Sequence, residues 1–371
     1  MKTLVLVGGG HAHLHCLEQL KNEPPENLNV MLISASRHQY YSGMFSGYTE
    51  GVYSLDEIRI NLARLCKKIG CTFIEDAIVA VDAQAKTMKG EGGAVYRYDL
   101  VSFDIGSRTA IPEALKNHVS SIKPNFRFPD QLLRLRNSTH PIIVGGGAAG
   151  VELAFSILAW RKRHALRANA VLFSSTSLLS EESASVSNKI EAIARRKALP
   201  FFTGTSVDAI DGKNATTTTG LSYPQSDVLW LTGPESDNVF RNSGLPTDEA
   251  GYLLVNKALQ SVGHPEIFGG GDCISIDCYP KLAKNGVYAV RQGPVLWKNL
   301  KNSLSGDKLF TFKPQKHFVS ILSTGGGEAF LTYGKRSIHG KIPWQIKQHI
   351  DRKFMKRYKD LYEGKKQNHA D

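Results

Sequence analysis

Two glycine triplets, each delivered by a short apolar run, are the residues of this chain that speak most directly of chemistry. Leu4-Val5-Leu6-Val7 leads into Gly8-Gly9-Gly10, and Ile142-Ile143-Val144 leads into Gly145-Gly146-Gly147. A strand that feeds a glycine turn and then a helix lets the backbone approach a pyrophosphate, whose charge rests on the N–H groups at the helix N-terminus. The second copy continues through Ala148 and Ala149 to Gly150 and so fills all three glycine positions of G-x-G-x-x-G. The first has Gly8 and Gly10, but His13 stands where the third glycine belongs. That glycine normally lets helix and strand pack closely. One such loop suits a dehydrogenase or a methyltransferase; two in one chain point to a flavin exchanging electrons with a nicotinamide.

Positioning two such loops requires two doubly wound α/β units. Residues 29–34 read as the second parallel strand of the first unit and residues 170–173 as that of the second. At the end of such a strand, about 20 residues past the glycines, an Asp or Glu usually accepts hydrogen bonds from ribose hydroxyls. Here the positions hold Ser34 and Ser174. A serine can bond a ribose and does not repel a 2′-phosphate, so neither NADH nor NADPH is excluded.

The 371 residues, 42% hydrophobic and 22% charged, suit a chain of two or three domains with a large core. The first apolar strand enters its glycine turn directly, which leaves no room for a secretory signal. No run approaches the ~18 apolar residues of a spanning helix. The expectation is a cytoplasmic protein, soluble or held peripherally on the inner membrane face. Composition fixes no oligomeric state, and a homodimer is an allowed arrangement.

A third apolar run ends in Gly269-Gly270-Gly271-Asp272, and Tyr98-Asp99-Leu100-Val101-Ser102-Phe103-Asp104-Ile105-Gly106-Ser107 precedes the second glycine loop. The latter resembles the second flavin-domain fingerprint of pyridine-nucleotide-disulfide-type flavoproteins. With Tyr41-Ser42-Gly43-Met44, with Gly286-Val287-Tyr288-Ala289-Val290-Arg291-Gln292-Gly293 and with the tail Ile350-Asp351-Arg352-Lys353-Phe354-Met355, nearly the whole chain resembles the FAD-binding module fused ahead of selenide, water dikinase. That module is similar to type II NAD(P)H:quinone dehydrogenases. The kinase domain is absent from this sequence.

The resemblance implies two Rossmann-like dinucleotide-binding domains, one nested in the other, plus a small C-terminal α+β region. The expected divisions are 1–124 and 259–309 for FAD, 125–258 for NAD(P), and 310–371 for a C-terminal hairpin and basic amphipathic helix. FAD would be held by Gly8, Gly10, His11, Ala12, Ser34, Ser42, Ile78, Gly106, Asp272, Gly286 and Val287. NAD(P)H would be held by Gly145, Gly147, Ala148, Ala149, Gly150 and Ser174. Glu152 matches a glutamate that reaches towards flavin and nicotinamide, or else partners its own helix N-terminus. Lys284 would stabilise charge on the reduced flavin, or is a solvated surface lysine. Tyr40 and Tyr41 would approach the flavin ring or lie in the core. Arg291 and Gln292 fall where quinone-reducing relatives line the quinone site. A quinone is thus the expected acceptor; a soluble reductase of a selenium- or sulfur-linked acceptor and an FAD-binding redox sensor are the alternatives.

The remaining chemistry-bearing residues carry less. Cys66 and Cys71 have the Cys-x4-Cys spacing of disulfide reductases, but each lies in an apolar run and reads as buried and structural. Cys273 and Cys278 lie near the presumed flavin, and a redox role for them is left open. His11, His13 and His15 straddle turn and helix without a carboxylate or cysteine to complete a set, so no metal is expected. Net charge is +12, and residues 341–371 hold nine Lys or Arg against four Asp or Glu. From Pro343 onward, Ile346, Ile350, Phe354, Tyr358 and Leu361 read as the apolar stripe of a basic helix, with Lys347 on its flank. Such a helix suits an anionic membrane surface. Without a recognisable binding fold, nucleic acid is not expected as a partner.

Overall fold

Apolar runs that feed the glycine turns form the middle strands of two parallel sheets. The computed structural model describes residues 1–167 and 169–364, so the last basic residues of the tail, Lys365 and Lys366, lie outside the described residues. In the first sheet β1 (Lys2–Val7), β2 (Leu28–Ser34), β3 (Thr72–Glu75) and β4 (Leu100–Phe103) run parallel. Helices and loops cover both faces, which is why residues 4–7 of β1 and all of β4 are buried rather than alternating in and out. The second sheet holds β5 (Pro141–Val144), β6 (Val171–Phe173), β7 (Phe201–Phe202) and β8 (Asp227–Trp230), in the order β7-β6-β5-β8 and again all parallel. The chain then returns: β9 (Ile267–Gly269) pairs with β4 and completes the first sheet as β9-β4-β1-β2-β3. The second sheet is inserted, in sequence, between two paired strands of the first.

Five helices matter for the site. α1 (His11–Asn22) follows β1, and α2 (Phe45–Thr49) lies beside α3 (Ala148–Arg163), which follows β5. α4 (Gly286–Ser305) packs along α1, its N-terminus capped by Asn285, whose side chain accepts from the N–H groups of Val287 and Tyr288. Between α4 and the last helix, β10 (Ser320–Ser323), β11 (Ala329–Tyr333) and β12 (Arg336–Gly340) form an antiparallel sheet of three strands, one more than the hairpin expected. The turn Gly325-Gly326-Gly327 docks it on the body: Gly326 N–H donates to Glu50 Oε1 at 2.9 Å, and Lys197 Nζ donates to Gly325 O at 2.9 Å.

α5 (Lys341–Glu363) corrects the sequence reading of the tail. A helix has 3.6 residues per turn, so a series spaced by four drifts around it. Ile346 and Ile350 stay exposed, whereas Tyr358, further along the same series, is buried. The face turned inward is instead Trp344, Lys347, Asp351, Met355 and Tyr358. Lys347, expected on the flank, is 6% exposed. The helix is fastened by Arg357 to Glu18, by Lys21 to the carbonyl of Leu361, and by the Tyr362 hydroxyl, which accepts from Asn61 N–H at 3.2 Å.

Candidate active site

The second glycine loop is shaped from beneath by its own fold. Gly145 has φ +124°, and a Cβ there would lie 2.5 Å from Leu231 O. At Gly150 a Cβ would lie 1.8 Å from Gly145 O, which is the close approach that the third glycine of the motif permits. Ser174 is buried directly under Gly146, with its hydroxyl 3.4 Å from the N–H of Thr176. Gly147 and Ala148 are exposed, and nothing lies within 4 Å of a Cβ built on Gly147. The α3 N-terminus therefore opens onto free space, as the diphosphate of a dinucleotide requires.

The first loop is built differently. His13, at the third-glycine position, is wholly buried, with Nδ1 2.7 Å from Gly8 O and Nε2 2.8 Å from Ser102 Oγ. The ring thus ties α1 to the turn after β1 and to β4, replacing close contact with two hydrogen bonds. Burial lowers its pKa to about 4, against the pull of Gly8 O, so it works as a neutral ring. Beside it Asp104, 3% exposed, accepts from Ala12 N–H at 2.8 Å and from His13 N–H at 3.1 Å. Burial pushes this carboxyl up to about 7 despite those two donors, with Asp272 adding to the rise. Two of the N–H groups at the α1 N-terminus are therefore already used from the inside. The His11 N–H has no acceptor among the described residues.

The other residues assigned to FAD converge here to different degrees. Asp272 sits next to Gly271, whose N–H donates to Gln292 Oε1 at 2.6 Å. Lys123, unread in the sequence, places Nζ 3.0 Å from Asp272 Oδ2 and 2.5 Å from Ser107 Oγ. Gly286 reaches His11, whose ring would lie 3.8 Å from a Cβ there. Val287 is not a free donor, because its N–H is taken by Asn285. Gly106 has φ +73° and open space around it, Ser42 is exposed, and Ser34 and Ile78 lie at the end of β2 and the start of a strand over Ile78–Asp82. Convergence of helix N-termini, a glycine turn and the Lys123 cation gives a donor set that fits a dinucleotide.

The structure decides between the alternatives left open for Lys284 and Tyr40 and separates Arg291 from Gln292. Lys284 is not a solvated lysine: Nζ donates to Ile274 O and lies 4.0 Å over the Tyr252 ring, and burial lowers its pKa. Arg291 and Gln292 do not face one site. Adjacent residues diverge around a helix, and here Arg291 is exposed while Gln292 is buried and holds Gly271. Tyr40 lies in the core, and Tyr41 alone reaches the site.

Glu152 is the hub of a second cluster. Its Oε1 accepts from the Ser46 hydroxyl at 2.9 Å and from Ser323 N–H at 2.8 Å, and lies 3.6 Å from Lys347 Nζ. α2, β10 and α5 thus meet on one carboxylate of α3, which does not serve its own helix N-terminus. Lys347 also lies 3.2 Å from Asp351 Oδ2 and donates to Gly43 O at 2.5 Å. Burial works against the Lys347 charge, but Glu152 and Asp351 outweigh it and raise its pKa. The Tyr41 ring stacks on Phe354 at 4.3 Å between centroids and stands edge-on to His11 at 5.7 Å. Burial brings His11 down to about 4, with Asp272 opposing. An aromatic bridge therefore joins the Glu152 cluster to the first glycine loop.

The three alternating histidines go to three different partners: His11 to Tyr41 and Phe354, His13 to Gly8 and Ser102, His15 to Glu18. All five cysteines are free thiols; Cys66 and Cys71 are buried, as is Cys273, whose thiol burial pushes up, while Cys278 is exposed. Sequence reasoning missed Asp104, Lys123, Lys347 and Asp351 as site residues. A signal existed for the last two, because a Lys and an Asp four apart share a helix face.

Comparison with known proteins agrees with this geometry. The family model for pyridine nucleotide-disulphide oxidoreductases matches residues 2–293. The ferroptosis suppressor protein 1 of Xenopus tropicalis is 25% identical over 329 residues, 84% of this chain and 83% of that protein. A type II NADH:quinone oxidoreductase of Staphylococcus aureus is 22% identical over 388 aligned residues, covering 94% of each. The structure of NDH2 from Plasmodium falciparum in complex with NADH shares the fold, with a TM-score of 0.82 at 12% identity over 97% of this chain and 96% of that one. Two dinucleotide loops on two nested parallel sheets, together with the family match, have one meaning: the chain belongs to the pyridine nucleotide-disulphide oxidoreductase family and is an oxidoreductase of FAD and NAD(P)H.

Proposed function

We propose that this oxidoreductase delivers electrons from NAD(P)H to a quinone at a membrane face. The observation that carries the reading is the two-sidedness of α5. One side brings Lys347 and Asp351 onto Glu152; the other exposes Ile342, Ile346 and Ile350 at 65%, 41% and 48%. Lys341, Arg352, Lys353 and Lys356 are exposed on the same helix. Apolar side chains bordered by cations are what an interfacial helix offers an anionic bilayer, where each basic residue near the surface adds about 1 kcal/mol. A lipid-soluble acceptor is thereby brought to the helix that closes the site. Among the described residues no helix is long and apolar enough to cross a membrane, so attachment would be peripheral. Likeness to a type II NADH:quinone oxidoreductase supports the same acceptor.

In this reading Gly145, Gly147, Ala148, Ala149 and Gly150 would hold the diphosphate of NAD(P)H, with Ser174 supporting the loop from beneath Gly146. Gly8, Gly10, His11, Ala12, Ser34, Ser42, Ile78, Gly106, Asp272 and Gly286 hold FAD, with Lys123 and Lys284 as the nearby cations. When bound there, FAD would supply the two-electron redox chemistry. The protein binds, orients and excludes water: Glu152 locks α2, β10 and α5 together, and Tyr41 and Phe354 close the site on that side. We assign residues 1–124 and 259–309 to the FAD domain, 125–258 to the NAD(P) domain and 310–371 to the acceptor side, on a cytoplasmic inner membrane face.

Anaerobic titration of the flavoprotein with NADH and then NADPH, followed by a ubiquinone analogue in anionic vesicles, tests the proposal. The flavin absorbance is expected to bleach with a nicotinamide and to return with the quinone, and Ile346→Asn with Ile350→Asn should abolish vesicle flotation. Bleached flavin that the quinone fails to reoxidise would refute the acceptor.

A further inference from the structure

Two carboxylates and one ammonium meet where α5 crosses α3. Asp351 is 3% exposed, Lys347 is 6% exposed, and Glu152 completes the set at 3.6 Å from the ammonium. Fully ionised, the cluster would carry one uncompensated negative charge away from water, a costly state that one proton relieves. The two carboxylates are not equivalent hosts for that proton. Glu152 Oε1 already accepts from a hydroxyl and a backbone N–H. Asp351 Oδ2 meets Lys347 at 3.2 Å but has no aligned hydrogen-bond donor.

We propose that Asp351 holds a proton and supplies it, through Tyr41, when the acceptor is reduced. The inference rests on the quinone reading above. NAD(P)H, one further proton and a quinone give NAD(P)⁺ and a quinol; the hydride equivalent brings two electrons and one proton, and the second proton must reach a closed site through a protein group. Asp351 gives up its O–H proton and is reprotonated from solvent between turnovers, so atoms and charge balance over the cycle. Tyr41 stacks on Phe354, three residues after Asp351 on α5, and meets His11 at the first glycine loop. The titratable groups facing Asp351 are Lys347 one turn earlier on α5, Glu152 from α3, Tyr41 from the segment before Ser42, and Tyr53 from the loop after α2. Burial, opposed by Lys347, places its carboxyl at about 6, so it is reloaded at mildly acidic pH and remains partly loaded near neutrality.

Two measurements on the full-length holoprotein test this. Infrared titration should show a protonated-carboxyl band that disappears as pH rises through about 6, is missing in Asp351→Asn and persists in Asp104→Asn. Turnover should then be compared between decylubiquinone, which takes up protons, and ferricyanide, which takes electrons alone. Asp351→Asn should lower the quinone-to-ferricyanide rate ratio on the order of 100-fold, and Asp351→Glu should restore most of it. A wild-type spectrum with no such band, or both acceptors slowed in equal proportion, would overturn the proposal. If quinone fails as an acceptor while ferricyanide works, the acceptor reading fails by itself and the infrared arm still decides whether Asp351 holds the proton.

Discussion

Asp104 makes the stability of the first nucleotide fold depend on pH in an unusual direction. Its carboxyl is buried against the α1 N-terminus, and its pKa rises from 3.8 to about 7 because burial outweighs the two N–H donors. The folded protein therefore binds this proton more tightly than the unfolded chain does. The stabilisation is fully present below about pH 4 and is lost as pH rises to about 7. A rise from 3.8 to about 7 corresponds to a difference on the order of 4 kcal/mol between the two limits. Asp104→Asn keeps an oxygen for the Ala12 and His13 N–H groups and carries no charge at any pH. Its stability relative to wild type should be near zero at pH 4 and should grow to about 4 kcal/mol in favour of the variant by pH 8. Urea unfolding of the two cofactor-free proteins at matched pH values, followed by tryptophan fluorescence, measures that difference, because titrating groups that do not interact with Asp104 cancel. A difference that stays constant from pH 4 to pH 8 would refute the assignment of a raised pKa to this carboxyl.

Three further substitutions test the glycine loops. His13→Gly restores the residue common at that position but removes both of the ring's hydrogen bonds, leaves Ser102 unpaired and opens a cavity, so it should destabilise by about 2–4 kcal/mol in thermal or urea unfolding. Gly150→Ala drives a methyl group to 1.8 Å from Gly145 O and should cost about 3 kcal/mol together with NAD(P)H affinity in a fluorescence titration, whereas Gly147→Ala, which meets open space, should keep the fold.

What the sequence made legible follows from how local each requirement is. The loops at Gly8 and Gly145 were readable because the need for glycine arises within a few residues of backbone. The drop from glycine to His13 was visible as a departure, but its compensation lies at Ser102, on a strand 89 positions away. Asp104 falls inside the fingerprint that carried the family resemblance; a carboxylate there gains meaning only once α1 stands beside it. Lys347 and Asp351 were read as part of a charged helix because lysines on amphipathic helices usually face water. Only the path of α5 over Glu152 turns them inward. Arg291 and Gln292 show the opposite failure, where a matched position in sequence did not correspond to a shared face in the fold.

The insertion of one sheet within the other also orders events during synthesis. β5 to β8 emerge as a continuous stretch and can pair as soon as residue 230 is free, while β4 waits for β9, which begins at Ile267. At about 5–20 residues per second that interval lasts roughly 2–7 s, during which an apolar strand stands at an open sheet edge. The nascent chain is therefore most prone to misassociation after its inserted unit has folded and before its first unit can close, a window in which chaperone occupancy would concentrate on residues 100–103.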